Sequence, residues 1–221
     1  MGMGAIVLIA LVLIVLILAG GVGAGLLLRK RQFGKYGELV RQGAGWRQVP
    51  ANPQLWQRVA ALRWFAGRRG LQDFFHMAGE HRGVPFEVVQ YRRPPGVGER
   101  VYTAAAVVYV PRPVPGPGLH LAHRDSWTPL GQDVEVPTGH PEFDRSFLVS
   151  SQNPDFARAI MQPGLVEGLL RDGRMRSRVV EFAPEHLVVF ATVVATKDAV
   201  LPMLDMLVDI RENVPWQNLA R

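Results

Sequence analysis

The chain has 221 residues, 48% hydrophobic and 20% charged, a balance that excludes a disordered tail or a fibrous repeat and fits one domain of ordinary size. It contains no cysteine, which excludes disulfide staples, thiolate metal ligands and a cysteine nucleophile. The net charge of +6 is uneven: residues 29–69 hold ten basic and one acidic side chain, net +9, and residues 70–221 hold 15 basic and 18 acidic, net −3. A nucleic-acid partner needs a basic footprint on the folded module, so none is expected. Only three of the basic residues are lysines, against 22 arginines, a bias that points to a GC-rich bacterial genome.

The strongest local signal is residues 4–28, a stretch of 25 residues with no charged and no hydrogen-bonding side chain. A helix of that length rises about 37 Å at roughly 1.5 Å per residue, enough to cross a hydrocarbon core of about 30 Å. A cleaved export signal has a charged start and a shorter apolar run, whereas the first four residues here carry no side-chain charge. Residues 1–28 are therefore expected to form a single permanent transmembrane anchor. Arg29, Lys30, Arg31, Lys35, Arg41 and Arg47 follow it and the other flank has no basic residue. The positive-inside rule then places the N-terminus outside and the C-terminal domain on the cytoplasmic side of the cell membrane. Arg29, Lys30, Arg31 and Lys35 are candidates for contact with the lipid bilayer, at about 1 kcal/mol for each basic side chain close to an anionic leaflet. Gly21 and Gly25 have the G-x-x-x-G spacing that lets two membrane helices approach, a route to a homo-oligomer through the anchor. Residues 29–51, with four glycines between their charges, read as a basic juxtamembrane linker.

Residues 52–221 read as the soluble domain. Asn52 caps and Pro53 opens a helix whose Leu55, Val59, Leu62 and Ala66 fall on one stripe, with Arg58, Arg63 and Arg69 beside it. The stripe has two beds open to it, the domain or the membrane interface, where Trp46, Trp56 and Trp64 would lie at headgroup depth; docking on the domain is the expectation. The pattern then changes to strands, with residues 74–80 and 85–92 forming a hairpin about Arg82-Gly83 and residues 100–110, apolar on both faces, lying centrally. Pro111, Pro113, Pro115 and Pro117 predict a stiff spacer. Residues 119–123 and 143–150 are further strand candidates. Asn153-Pro154 repeats the cap signature, Pro163 opens another short helix, and residues 178–182 and 187–194 form a second hairpin about Pro184-Glu185. A last helix covers residues 198–213, with Asp205, Asp209 and Glu212 outward. Runs of strands and of helices without regular alternation indicate an α+β architecture: an N-terminal single transmembrane helix, then a soluble domain with a largely antiparallel sheet and packed helices.

Behind the anchor come His81-Arg82-Gly83-Val84-Pro85-Phe86, Phe143-Asp144-Arg145-Ser146-Phe147, Asp155-Phe156-Ala157 and the closing Asn213-Val214-Pro215. In these the chain resembles a group of actinobacterial single-pass membrane proteins with a small C-terminal α+β domain of unknown function. They are packing and turn residues, so the resemblance implies an architecture and no site residue.

Candidates for chemistry are weak. His76, Glu80 and His81 read H-x-x-x-E-H, one residue longer than the H-x-x-E-H zinc signature, and the odd spacing puts the histidines on opposite faces of a strand. His120, His123 and Asp125 read as an exposed loop edge. Ser150-Ser151 lacks a G-x-S-x-G, Asn153 reads as a helix cap, and Gly96-Val97-Gly98 and Gly116-Pro117-Gly118 lack the rest of a nucleotide loop. Glu142 and Asp144, placed on a strand, and the stripe Asp205, Asp209 and Glu212 read as solvated acids. No catalytic residue, cofactor or metal is assigned. The expected function is a membrane-anchored, non-catalytic interaction or scaffold domain that recruits a protein partner at the inner face of the membrane. The alternative, a lipid- or phosphate-directed membrane enzyme, needs an acid, a base and an electrophile in one pocket.

Overall fold

The computed structural model describes residues 40–41, 45–50, 54, 57, 72–93, 103–126 and 133–219. The expected anchor with Gly21 and Gly25, the leaflet candidates Arg29, Lys30, Arg31 and Lys35, and the glycines Gly96 and Gly98 lie outside the described residues. Among the described residues no helix is long and apolar enough to cross a membrane.

The strands are β1 (Arg47–Gln48), β2 (Gln72–His81), β3 (Val84–Arg93), β4 (Thr103–Pro111), β5 (Leu119–His123), β6 (Val134–Glu135), β7 (Phe147–Ser151), β8 (Val179–Phe182) and β9 (His186–Ala191). They form one sheet in the order β1-β2-β3-β4-β9-β8-β5-β7-β6, antiparallel at every neighbouring pair. The helices are α1 (Pro141–Ser146), α2 (Pro154–Ile160), α3 (Pro163–Arg171) and α4 (Lys197–Asn213). The expected α+β class and the largely antiparallel sheet are thus present. The β2–β3 turn has φ of 52° at Arg82 and 76° at Gly83, the two positive values that a two-residue type I′ hairpin needs. The last part of the stretch read as linker joins the sheet: β1 pairs with β2, and Trp46 donates its indole N–H to the Glu80 carbonyl at 3.1 Å. Gly79 permits this approach, because a Cβ there would stand 2.7 Å from the Trp46 ring.

Residues facing each other across antiparallel strands share a sheet face. One row runs Met77, Val88, Val108, Val189, Val180, Leu121, Val149 across seven strands. This first face, entirely apolar in that row, packs with residues of all four helices into the main core, α4 lying on β3, β4 and β9. The second face carries its own apolar cluster of Val89, Tyr91, Val107, Tyr109, Ala122, Val179, Val188 and Phe190, in which no residue of the four helices takes part.

One expected strand is corrected. Residues 143–150 divide into helix α1 and the shorter strand β7. Pro141 stands at the first helical turn, the His140 imidazole accepts the Phe143 N–H at 3.3 Å, and the Asp144 carboxylate accepts from the Thr138 N–H and hydroxyl and from the Gly139 N–H. These caps outweigh the strand preference of the two phenylalanines, and Glu142 and Asp144 therefore lie on a helix.

Candidate functional site

A second row, one residue along the same strands, crosses the second face: Ala78, Glu87, Tyr109, Val188, Glu181, His120, Ser150. Three polar side chains thus stand on adjacent strands, Ser150 on β7, His120 on β5 and Glu181 on β8, and all three are buried. The His120 ring is held between two carboxylates, with Nδ1 at 3.6 Å from Glu181 and Nε2 at 4.0 Å from Asp133, which precedes β6. The Asp133 side chain is 1% exposed. Buried ionisable groups are costly unless they face one another, and this lateral pairing provides that. A serine, an imidazole and a carboxylate in sequence are the ingredients of nucleophilic catalysis. The geometry departs from that template, because Asp133 occupies the Nε2 side and among the described residues no hydrogen bond joins Ser150 to His120. No group of three or more His, Cys, Asp or Glu among the described residues is arranged to hold a metal ion.

Two depressions open elsewhere. One of about 550 Å³ is lined by Arg47, Glu80, Glu87, Tyr109, Pro111 and His186, and one of about 400 Å³ lies between α3 and α4 beside Gly164, Gly168 and Asp209. Neither is lined by Ser150, His120 or Glu181.

On the first-face side, the β2–β3 turn is fastened to α4 by a histidine–carboxylate hydrogen bond and by arginine ion pairs. His81 Nε2 lies 2.7 Å from Asp205, and Arg82 reaches Asp209 at 2.6 Å and Glu212 at 2.7 Å. Arg174 joins the same Asp209 carboxylate at 2.7 Å while bonding Asp172. Burial pushes the Asp209 carboxyl up, but the Arg174 and Arg82 guanidinium groups hold it below its ordinary value. At the end of the main core Arg112 is buried, and among the described residues no carboxylate forms a salt bridge with it. Its Nη1 donates to the carbonyls of Gly116, Pro117 and Ala183, and its guanidinium lies 5.3 Å from the Phe156 ring and 5.5 Å from the Trp216 ring. Burial lowers its pKa to about 10.

His76 and His81 do stand on opposite faces: His76 faces Val89 on the second, and His81 faces α4 from the first. His120 is corrected from exposed loop edge to buried strand residue, whereas His123 stays partly exposed beside Asp125. Asn153 accepts the Phe156 N–H at 3.0 Å, the expected cap, and Ser151 donates to the Gly118 carbonyl at 2.6 Å. Asp209 and Glu212 are ion-paired and Asp205 is hydrogen-bonded to His81, where simple solvation was expected. Glu181, Asp133 and Arg112 were missed by sequence reasoning. A signal was present for Glu181 and His120: Glu181 is the single polar residue of β8, and His120 stands between two leucines in β5.

No family model and no curated protein matches the chain. Among solved structures it is similar to the mycobacterial trehalose monomycolate transport factor A, with a TM-score of 0.58 over 83% of this chain and 90% of that one. At 13% identity the likeness shows the fold alone. That neighbour is an actinobacterial protein.

Proposed function

We propose that the protein is a membrane-tethered, non-catalytic accessory domain that holds a protein partner at the inner face of the cell membrane and serves the movement of an envelope lipid. The observation that carries this reading is the shared fold, over most of both chains, with a transport factor named for trehalose monomycolate, an acylated sugar. Residues 1–28 supply the tether, and Arg29, Lys30, Arg31 and Lys35 keep the domain against the anionic leaflet. Depleting the protein in its host is expected to slow export of such a lipid while its synthesis continues. The chain without residues 1–28 is expected not to restore export, and the same domain on an unrelated anchor of like orientation to restore it. Unchanged export, or full rescue by the anchorless chain, rejects the reading. A reporter active only in the cytoplasm, fused after Arg221, is expected to be active.

A lipid- or phosphate-directed membrane enzyme is the second reading, favoured by the Ser150, His120 and Glu181 row. The carboxylate on the Nε2 side of His120 weighs against it.

A further inference from the structure

We propose that the second face of the sheet is the docking surface for a segment of the same chain, residues 53–66, with the stripe Leu55, Val59, Leu62 and Ala66 set against the apolar cluster around Val107, Val188 and Phe190. Helical phase is the first reason. Gln54 and Gln57 are helical and exposed, and a helix continued through the segment at 100° per residue would centre the stripe about 140° round from them. Connectivity is the second. The segment is tied to β1 at Gln48 and to β2 at Gln72 by links of about five residues, which reach no more than roughly 20 Å, so it must settle beside that part of the sheet. The first face there is already taken by the helices, whereas the second-face cluster is buried with no residue from them.

Charge is the third. The second face sets two buried carboxylates, Glu181 and Asp133, against one imidazole, and Glu87 stands in the same row. A basic segment is the electrostatic complement of a face that carries carboxylates. The segment carries Arg58 and Arg63 beside its stripe and no acidic residue at all. Docked in this way, the stripe is withdrawn from the membrane interface, and the domain is fixed to its N-terminal arm through the face that holds Glu181, His120 and Asp133. The inference does not depend on the transport reading.

The chain has no cysteine, so disulfide trapping in the full-length protein is read without background. Leu62→Cys is combined in turn with Ala122→Cys, Val107→Cys and Val188→Cys on the second face. The control partners are Glu167→Cys and Asp198→Cys, exposed on α3 and α4. An intramolecular disulfide in at least one second-face pair and in neither control is expected. Amide exchange of the unmodified protein gives a second readout, independent of any substitution. Residues 55–66 are expected to exchange at least about tenfold more slowly than an unstructured chain, equally in neutral detergent and in bilayers of anionic lipid. Disulfides only between two chains, only in the control pairs, or in no pair overturn the proposal, as does protection that appears only on the anionic bilayer.

Discussion

The two faces of the sheet are built from the same strands in the same register, yet they differ in kind. The row Met77, Val88, Val108, Val189, Val180, Leu121, Val149 contains nothing but apolar side chains, and its neighbour one residue along contains Glu87, Tyr109, Glu181, His120 and Ser150. Because side chains alternate, a slip of one residue would bury the acids under the helices and turn the valines outward, so the two rows specify the register together. The first face stabilises the fold by area. On the second, the register sets the Glu181 carboxylate beside the His120 imidazole.

That difference is sharpest where a first-face side chain is truncated. Leu121→Ala removes a fully buried residue from the middle of the apolar row and should cost about 2–5 kcal/mol, read as a lower midpoint in chemical denaturation at unchanged slope. A loss below about 1 kcal/mol would mean that the helices close over the gap and that the first face is not tightly packed.

Arg112 comes next, because it is a charge at the edge of the apolar side. Arg112→Met keeps a long side chain between Phe156 and Trp216 but leaves three carbonyls without their donor. Each lost donor costs about 1–3 kcal/mol where the acceptor stays dry, and relief from burying a cation offsets part of that. A net loss of about 2 kcal/mol is expected by denaturation. A gain in stability would show that burial of the charge outweighs its bonds.

Much of this fold was legible along the chain. The Arg82-Gly83 turn, the cap at Asn153, the first-turn proline Pro163 and the long C-terminal helix rest on local chemistry, and local chemistry is written in neighbouring residues. The insertion of β9 between β4 and β8 is not local. The polar row depends on it in part, since Glu181, His120 and Ser150 meet only when β8, β5 and β7 align. Helix α1 was missed for a different reason: a histidine in the cap position is an unusual signal, and the phenylalanines on either side favoured a strand.

The ion pairs on α4 should respond to pH in one direction. The folded-state pKa of Asp209 is depressed, so its contribution is present above the ordinary carboxylate value near 4 and is lost as pH falls through the folded value. Asp209→Asn is expected to cost up to about 1 kcal/mol near neutral pH, since the pairs are partly exposed. Thermal midpoints of the two proteins should converge below about pH 4. A constant offset between them at every pH would assign the effect to packing instead of charge.

Ser150→Ala should have the smallest effect, and it bears most directly on what the second face is for. The Ser150 hydroxyl is buried and makes no hydrogen bond among the described residues, so its removal deletes a desolvated polar atom and leaves no described partner unsatisfied. Stability should change by less than about 0.5 kcal/mol, with a slight gain the expected sign. On the accessory-domain reading, lipid export in a host carrying only the variant should match that of the unaltered protein. On the enzyme reading the same hydroxyl is the nucleophile beside His120, and its loss should reduce activity by several orders of magnitude at unchanged stability. Normal export by a folded Ser150→Ala protein would leave the row a structural one, whose carboxylates and imidazole hold the second face in register. Abolished export at full stability would make it a catalytic site, with Asp133 required to move away from Nε2 before His120 can accept the serine proton.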